Sequence, residues 1–126
     1  MEKKYFDLKY FFLVCSFSVL FVSIDIIIQY SFGQSLFGYE GVSRRMSGPF
    51  GDELVAGGYI TRFILFYIFS FFIFGFFKNM EFKRKFFIFS ITSLILSLGM
   101  TLAGNRIPFL ILIFIIFLSL IIMKNL

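Results

Sequence analysis

The chain has 126 residues, of which 60% are apolar and 15% are charged, and its formal net charge is +5. This composition excludes a disordered chain, and its 23 phenylalanines exceed what the interior of a soluble globule of this length can bury. With no histidine and one cysteine, the chain cannot build an intrachain disulfide, a Cys/His zinc site or a histidine general base. We therefore expect an all-α integral membrane protein.

Four long apolar runs predict about four transmembrane helices in a single unit, over residues 10–31, 59–77, 86–103 and 107–123. At 1.5 Å per residue, a helix of about 17 to 22 residues covers about 25 to 33 Å, which matches a hydrocarbon core about 30 Å thick. Gly104 and Pro108 separate the last two runs. Because glycine suits a helix C-cap and proline suits the first turn of a helix, we predict a hairpin there.

The distribution of basic residues predicts that both termini face the cytoplasm. Eight of the twelve basic residues then lie on the inner side and four on the outer side. Residues 78–85 would form a cytoplasmic connector, and residues 32–58 an outer loop rich in glycine and arginine. The positive charge needs no nucleic-acid partner, since inner lysines are topological signals that can meet anionic lipid headgroups.

The outer side is where the sequence predicts a binding site. All four basic residues on this side are arginines, whose planar fork binds phosphate or carboxylate in two-point geometry: Arg44, Arg45, Arg62 and Arg106. The loop glycines permit positive φ, so successive N–H groups are expected to form an anion-binding nest beside the paired arginines. The apolar side chains of the loop predict that it packs on the helices rather than forming a solvated connector: Phe37, Tyr39, Phe50 and Leu54.

Two charged residues fall inside the predicted spans. Asp25 lies near the outer end of the first span, and Arg62 lies at the same outer depth in the second. Asp25 and Gln29 are four residues apart, so they share a helix face. Because an intramembrane arginine needs a partner, we expect Asp25 to face Arg62. The pair is either a lock between two helices or part of a polar site.

Carboxylates of the outer loop have two interpretations. Asp52 and Glu53, with Glu40, offer oxygen ligands to a divalent cation. The simpler interpretation is that Asp52 caps the second helix. We expect no metal and no cofactor.

Small polar residues recur on one face of the third span: Ser90, Ser93, Ser97, Thr101 and Gly104. They predict a helix-packing face, because small side chains let helices approach closely in lipid. The alternative is a polar groove leading to Arg106, which lies near the start of the fourth helix, where unpaired N–H groups favour an anion.

Three stretches of the sequence carry short motifs. The first is Asp25-x3-Gln29-x3-Gly33 running into Phe37-Gly38-Tyr39. The second is Arg45-x2-Gly48-x-Phe50-Gly51-Asp52-Glu53-x3-Gly57-x-Tyr59-x2-Arg62-Phe63. The third is Ala103-Gly104-Asn105-Arg106. Together they resemble the O-antigen ligase and polymerase superfamily, bacterial membrane proteins that transfer undecaprenyl-pyrophosphate-linked glycans at the outer face of the inner membrane.

The resemblance implies a metal-independent glycosyl transfer by a multi-pass protein of the bacterial inner membrane. Arg45, Arg62 and Arg106, with Arg44 beside them, would bind the pyrophosphate of the lipid-linked donor while an acceptor glycan or lipid A core attacks. The residues expected to support the site are Asp25, Gln29, Asp52 and Glu53. Such proteins have more spans and, in the ligases, a histidine-bearing outer loop, so the resemblance implies a fragment of such an enzyme or a degenerate relative.

Two other functions fit the sequence. A small four-helix transporter would use Asp25 as its proton-coupling carboxylate, although the 27-residue outer loop is longer than such a protein needs. A non-catalytic membrane subunit would use the outer loop to dock a partner.

Overall fold

The computed structural model describes residues 2–41, 44–72, 79–104 and 106–125. Over these residues the chain forms four α-helices: α1 (Glu2–Phe32), α2 (Ala56–Phe72), α3 (Phe82–Leu102) and α4 (Arg106–Asn125). One short 3-10 helix, Gly48–Phe50, lies between α1 and α2. The described ranges include no strand, only an isolated bridge between Gln34 and Glu40. The predicted all-helical architecture is confirmed.

The helices extend beyond the apolar runs that predicted them. α1 begins at Glu2, and α3 begins at Phe82, so the basic residues 83–85 form its first turn. The N–H of Lys85 donates to the carbonyl of Glu81 at 3.0 Å. Backbone hydrogen bonds extend a helix through polar residues, so its ends need not coincide with the ends of the apolar run. The loop between α1 and α2 is therefore residues 33–55, while the predicted span residues 73–77 and Lys78 lie outside the described residues.

The predicted hairpin between the last two helices is confirmed. Gly104 has φ +75°, in the left-handed region that suits glycine after a helix. The N–H groups of Ala103 and Gly104 donate to the carbonyls of Gly99 and Thr101, at 3.0 and 3.1 Å. Pro108 is the third residue of α4.

The helices alternate in direction, so their connections collect at two ends. Thr61 of α2 lies beside Met100 of α3, and further along α2 the hydroxyl of Tyr67 hydrogen-bonds that of Thr92. These pairs show that α2 and α3 run antiparallel. We call the end that carries residues 33–55 and the α3–α4 hairpin the loop end, and the opposite end the connector end.

α1 packs on both α2 and α3. Its hydroxyls meet those of α2, with Ser16 donating to Ser70 at 3.0 Å and Ser18 bonded to Tyr59 at 2.8 Å. α1 and α3 approach closely at Gly99, where a Cβ atom would lie 2.8 Å from the Cβ of Ser23 and 2.9 Å from its Cα. Small side chains permit this contact between backbones.

The predicted small-residue stripe of α3 is divided between two environments. Ser93 is buried, and together with Ser97 it lines an apolar groove between α3 and α4. Ser90 and Thr101 are exposed. Gly99, which is not part of the stripe, contacts Ser23 of α1.

Two helices are long and apolar enough to cross a membrane, over Leu8–Phe32 and Phe82–Leu102. The apolar parts of α2 and α4 are shorter, at Ala56–Phe71 and Phe109–Ile122. Large apolar side chains are exposed on every helix, as at Phe17, Phe69, Leu94 and Phe114.

We expect Gly99→Ala to destabilise the fold, because its methyl group would push α1 away from α3. The free energy of unfolding should fall by about 1–3 kcal/mol, the usual cost of overpacking. Gly58→Ala, in α2, is the matched control, since its Cβ meets nothing within 4 Å. It should be neutral or stabilise by up to about 1 kcal/mol. Thermal unfolding of both variants in detergent, followed by circular dichroism, measures the difference, and equal effects would contradict the proposed contact.

Candidate binding site at the loop end

The amide of Gln29 joins α1 to two separate parts of the loop. This side chain is 1% exposed. Its Nε2 donates to the carbonyl of Tyr39 at 3.1 Å and to Ser47 Oγ at 3.4 Å. Its Oε1 accepts the N–H of Gly48 at 2.8 Å. Both polar atoms of one buried amide are thus used to hold the loop.

Asp25 lies one turn earlier on the same face of α1, as predicted. It is fully buried, and its Oδ1 accepts the N–H of Leu36 at 2.7 Å. Its Oδ2 is buried with no hydrogen-bond partner among the residues that the structure describes. Asp25 therefore binds the loop backbone.

The loop segment held by Asp25 and Gln29 is a tight turn, Ser35–Tyr39. The N–H of Ser35 donates to the carbonyl of Tyr39 at 2.8 Å, and that of Gly38 donates to the carbonyl of Ser35 at 3.0 Å. Ser35 Oγ accepts the N–H groups of Phe37 and Tyr39, at 3.3 and 3.2 Å. Sequence reasoning missed Ser35, although a serine three residues before a glycine is a turn signal.

Aromatic contacts seat the loop on the helices. The Phe50 ring lies 5.3 Å from that of Tyr59 on α2, and the Phe37 ring lies 6.2 Å from that of Phe21 on α1. The predicted packing of the loop is confirmed at these positions. Leu54, predicted to join them, is 37% exposed.

A third set of contacts joins the loop to the end of α3. The N–H of Met46 donates to the carbonyl of Leu102 at 3.2 Å. A Cβ atom on Gly104 would lie 2.9 Å from Arg45 Cγ and 3.2 Å from Arg45 Nε, so the arginine side chain lies across this glycine. A cation there is favoured by the carbonyl groups at the end of α3. Arg45 is thereby placed beside the hairpin that leads to Arg106, the first residue of α4.

Arg44 precedes this contact and is exposed. Its φ of +68° is in the left-handed region, which is uncommon for a residue with a long side chain. Backbone strain of this kind concentrates at binding sites.

Arg62 does not pair with Asp25, and the predicted ion pair is wrong. Asp25 is enclosed by the loop, whereas Arg62 is exposed. Arg62 shares the outward face of α2 with Leu65 and Phe69, which are 49% and 43% exposed. The contacts of the loop therefore bring Arg45 to the hairpin before Arg106, but they do not include Arg62.

The carboxylates of the loop do not form a cap or a metal site. α2 begins at Ala56, four residues after Asp52, so the predicted cap is wrong. The chain instead continues from the 3-10 helix into another turn, in which the N–H of Glu53 donates to the carbonyl of Phe50 at 3.3 Å. Asp52 and Glu53 are both exposed. Within the described parts of the chain, no three His, Cys, Asp or Glu residues are grouped closely enough to hold a metal.

Three of the loop glycines do not offer their N–H groups to an anion nest. The N–H of Gly33 donates to the carbonyl of Gln29, and that of Gly38 donates to the carbonyl of Ser35. The N–H of Gly48 is bonded to Gln29 Oε1. These three N–H groups are therefore not available to an anion.

The three motif stretches nevertheless meet at the loop end. Gln29, from the first stretch, binds Gly48 of the second. Arg45, from the second, lies across Gly104 of the third. Segments up to about 75 residues apart in the chain are thus assembled around one corner of the bundle.

Replacing Gln29 by leucine should release the loop from α1, because the buried N–H of Gly48 would lose its acceptor. We expect a local loss of about 1–3 kcal/mol, with exchange about tenfold faster for each 1.4 kcal/mol. Hydrogen–deuterium exchange of residues 46–50 measures this effect. Gln34→Leu changes an exposed glutamine of the same loop and should leave the exchange unaltered. Equal protection in the two variants would show that Gln29 does not hold the loop.

Comparison with known proteins gives no relative: no family model, no curated protein and no solved structure matches the chain. Function is therefore inferred from the residues and their contacts.

Proposed function

We propose that the chain crosses a membrane four times, with the loop end on the outer side and both termini on the inner side of a bacterial inner membrane. Two helices have the required length and composition, and large apolar side chains are exposed on all four. Such a surface is costly in water and favoured in hydrocarbon. Basic residues of the connector end support the orientation: Lys83, Arg84, Lys85 and Lys124.

We further propose that the loop end binds the pyrophosphate of a polyprenyl-linked glycan. The protein would be part of a glycan transferase that resembles the O-antigen ligases and polymerases. The observation that carries this proposal is the meeting of the three motif stretches, which places Arg45 beside the start of α4 and Arg106.

The chemistry of the arginines fits this ligand. In a transfer from a polyprenyl carrier, an acceptor hydroxyl, of a glycan or a lipid A core, displaces the carrier pyrophosphate from the sugar. Negative charge then accumulates on the leaving group. Guanidinium forks stabilise that charge with paired hydrogen bonds and keep their own charge at every working pH. Arg45 lies across Gly104, two residues before Arg106, and we place Arg44 and Arg62 at the margin of the site.

The transporter alternative has less support. A proton-coupling carboxylate must alternate between two aqueous sides, but Asp25 is fully buried beneath the loop, and one of its oxygens holds Leu36. A docking subunit would not need an arginine placed across the end of α3.

Alanine at Arg45 or Arg106 should weaken binding of a polyprenyl pyrophosphate strongly, and alanine at Arg62, at the margin of the site, should weaken it less. Each bond to a charged group contributes about 1.5–3 kcal/mol, so the affinity should fall roughly 10- to 100-fold at Arg45 and Arg106, with lysine variants between alanine and wild type. Titration of the lipid into protein-loaded nanodiscs measures this. Arg84→Ala, an exposed arginine at the connector end, is the control and should bind normally. Unchanged affinity in the alanine variants at all three positions would refute the proposal.

Gly104→Ala tests the position of Arg45 without removing any charge. The new methyl group would lie 2.9 Å from Arg45 Cγ and displace the side chain. Gly33→Ala is closely matched, because Gly33 also follows a helix, has φ +84°, and has nothing within 4 Å of its Cβ. Both variants should lose about 1 kcal/mol of stability from backbone strain. Only Gly104→Ala should bind the pyrophosphate less tightly in nanodiscs, and equal affinities would contradict the assigned role of Arg45.

A further inference from the structure

We infer that the Ser35–Tyr39 turn is a re-entrant segment, which dips into the bilayer beside α1 so that Leu36 and Phe37 contact lipid acyl chains. This inference rests on the proposed membrane insertion and adds a lipid-binding surface to it.

The turn lies well below the end of α1. Leu36 is bonded to Asp25, seven residues before Phe32, and the Phe37 ring packs against Phe21, eleven residues before it. At 1.5 Å per residue these levels are about 10 and 16 Å below the helix end. After leaving α1, the chain therefore runs back along the same helix.

These levels fall within the hydrocarbon. The apolar part of α1 has 25 residues and spans about 37 Å, against a hydrocarbon core of about 30 Å. If the whole excess of about 7 Å projected at the loop end, Phe21 would still lie about 9 Å below the hydrocarbon boundary, and Asp25 about 3 Å below it.

The N–H groups of the turn are satisfied without water. In lipid, each unsatisfied backbone polar group costs several kcal/mol, so an irregular segment is tolerated only where neighbouring protein groups bond it. All five N–H groups of the turn donate to protein acceptors: those of Ser35 and Gly38 to turn carbonyls, those of Phe37 and Tyr39 to Ser35 Oγ, and that of Leu36 to Asp25. The carbonyl of Tyr39 also accepts from Gln29.

The outward side chains of the turn are apolar. Leu36 is 59% exposed and Phe37 is 60% exposed, and no residue from Ser35 to Tyr39 is charged. Charge returns to the loop outside the turn, with Glu40 before the 3-10 helix and Asp52 after it. The loop thus has a part suited to lipid and a part suited to water. Asp25 supplies the acceptor for the one N–H of the turn that the loop itself does not satisfy.

Tryptophan fluorescence can locate the turn, because the chain has no native tryptophan. Phe37→Trp, reconstituted in phosphatidylcholine vesicles, should emit at short wavelength. It should be quenched by acyl chains brominated near mid-chain and be protected from aqueous iodide. Phe114→Trp, on the exposed face of α4, is the lipid control, and Glu53→Trp, in the charged part of the loop, is the aqueous control.

Iodide quenching of the Phe37→Trp variant without bromine quenching, while the Phe114→Trp variant is quenched by bromine, would overturn the re-entrant turn and leave membrane insertion intact. Failure of both variants to be quenched by bromine would overturn the membrane insertion and the inference with it.

A second pair of variants tests how the turn is held. In the Phe37→Trp background, Asp25→Asn keeps an acceptor oxygen for the N–H of Leu36, whereas Asp25→Leu removes it. We expect Asp25→Asn to retain the bromine quenching and Asp25→Leu to lose it, with emission shifted to longer wavelength. Unchanged quenching in Asp25→Leu would overturn the role assigned to the carboxylate.

Discussion

The loop end depends on one buried amide, that of Gln29. A buried polar group without a partner is costly, and it is most costly where water is excluded. Gln29 and the loop therefore satisfy each other, with Tyr39 on one side and Ser47 and Gly48 on the other. A long connector rich in glycine, which entropy would otherwise favour as an open chain, is held at two points by a rigid helix.

The position of the arginines follows from this attachment. Gly48 has φ +60°, and a Cβ there would lie 2.9 Å from Ile26 Cγ1, so the backbone is seated directly on α1. Arg45 precedes it by three residues, which limits how far its side chain can reach. The bond from Met46 to Leu102 then directs it toward the end of α3. The candidate site is thus built from loop backbone, while the helices serve as its support.

The helices were predictable because the apolar runs are much longer than an ordinary strand, so their length favours helices. The hairpin at Gly104 was predictable because few residues tolerate its backbone geometry. The shared face of Asp25 and Gln29 followed from their four-residue spacing. The hydrogen-bond partners of these two side chains could not be predicted from the spacing. Most of them are backbone groups of a loop, and a loop has no periodic pattern in the sequence. Reasoning from charge alone predicted an ion pair between Asp25 and Arg62. The carboxylate of Asp25 instead accepts a hydrogen bond from a backbone N–H of the loop.

The close contact between Ser23 of α1 and Gly99 of α3 restricts the relative motion of these two helices. Where two backbones are nearly in contact, sliding along the helix axis would drive side chains into main-chain atoms. α1 and α3 therefore behave as one rigid unit. The loop is attached to α1 and to the end of α3, so both attachment points belong to this rigid unit. A shift of α1 along α3 is therefore blocked at Gly99, and the loop keeps its position relative to both helices.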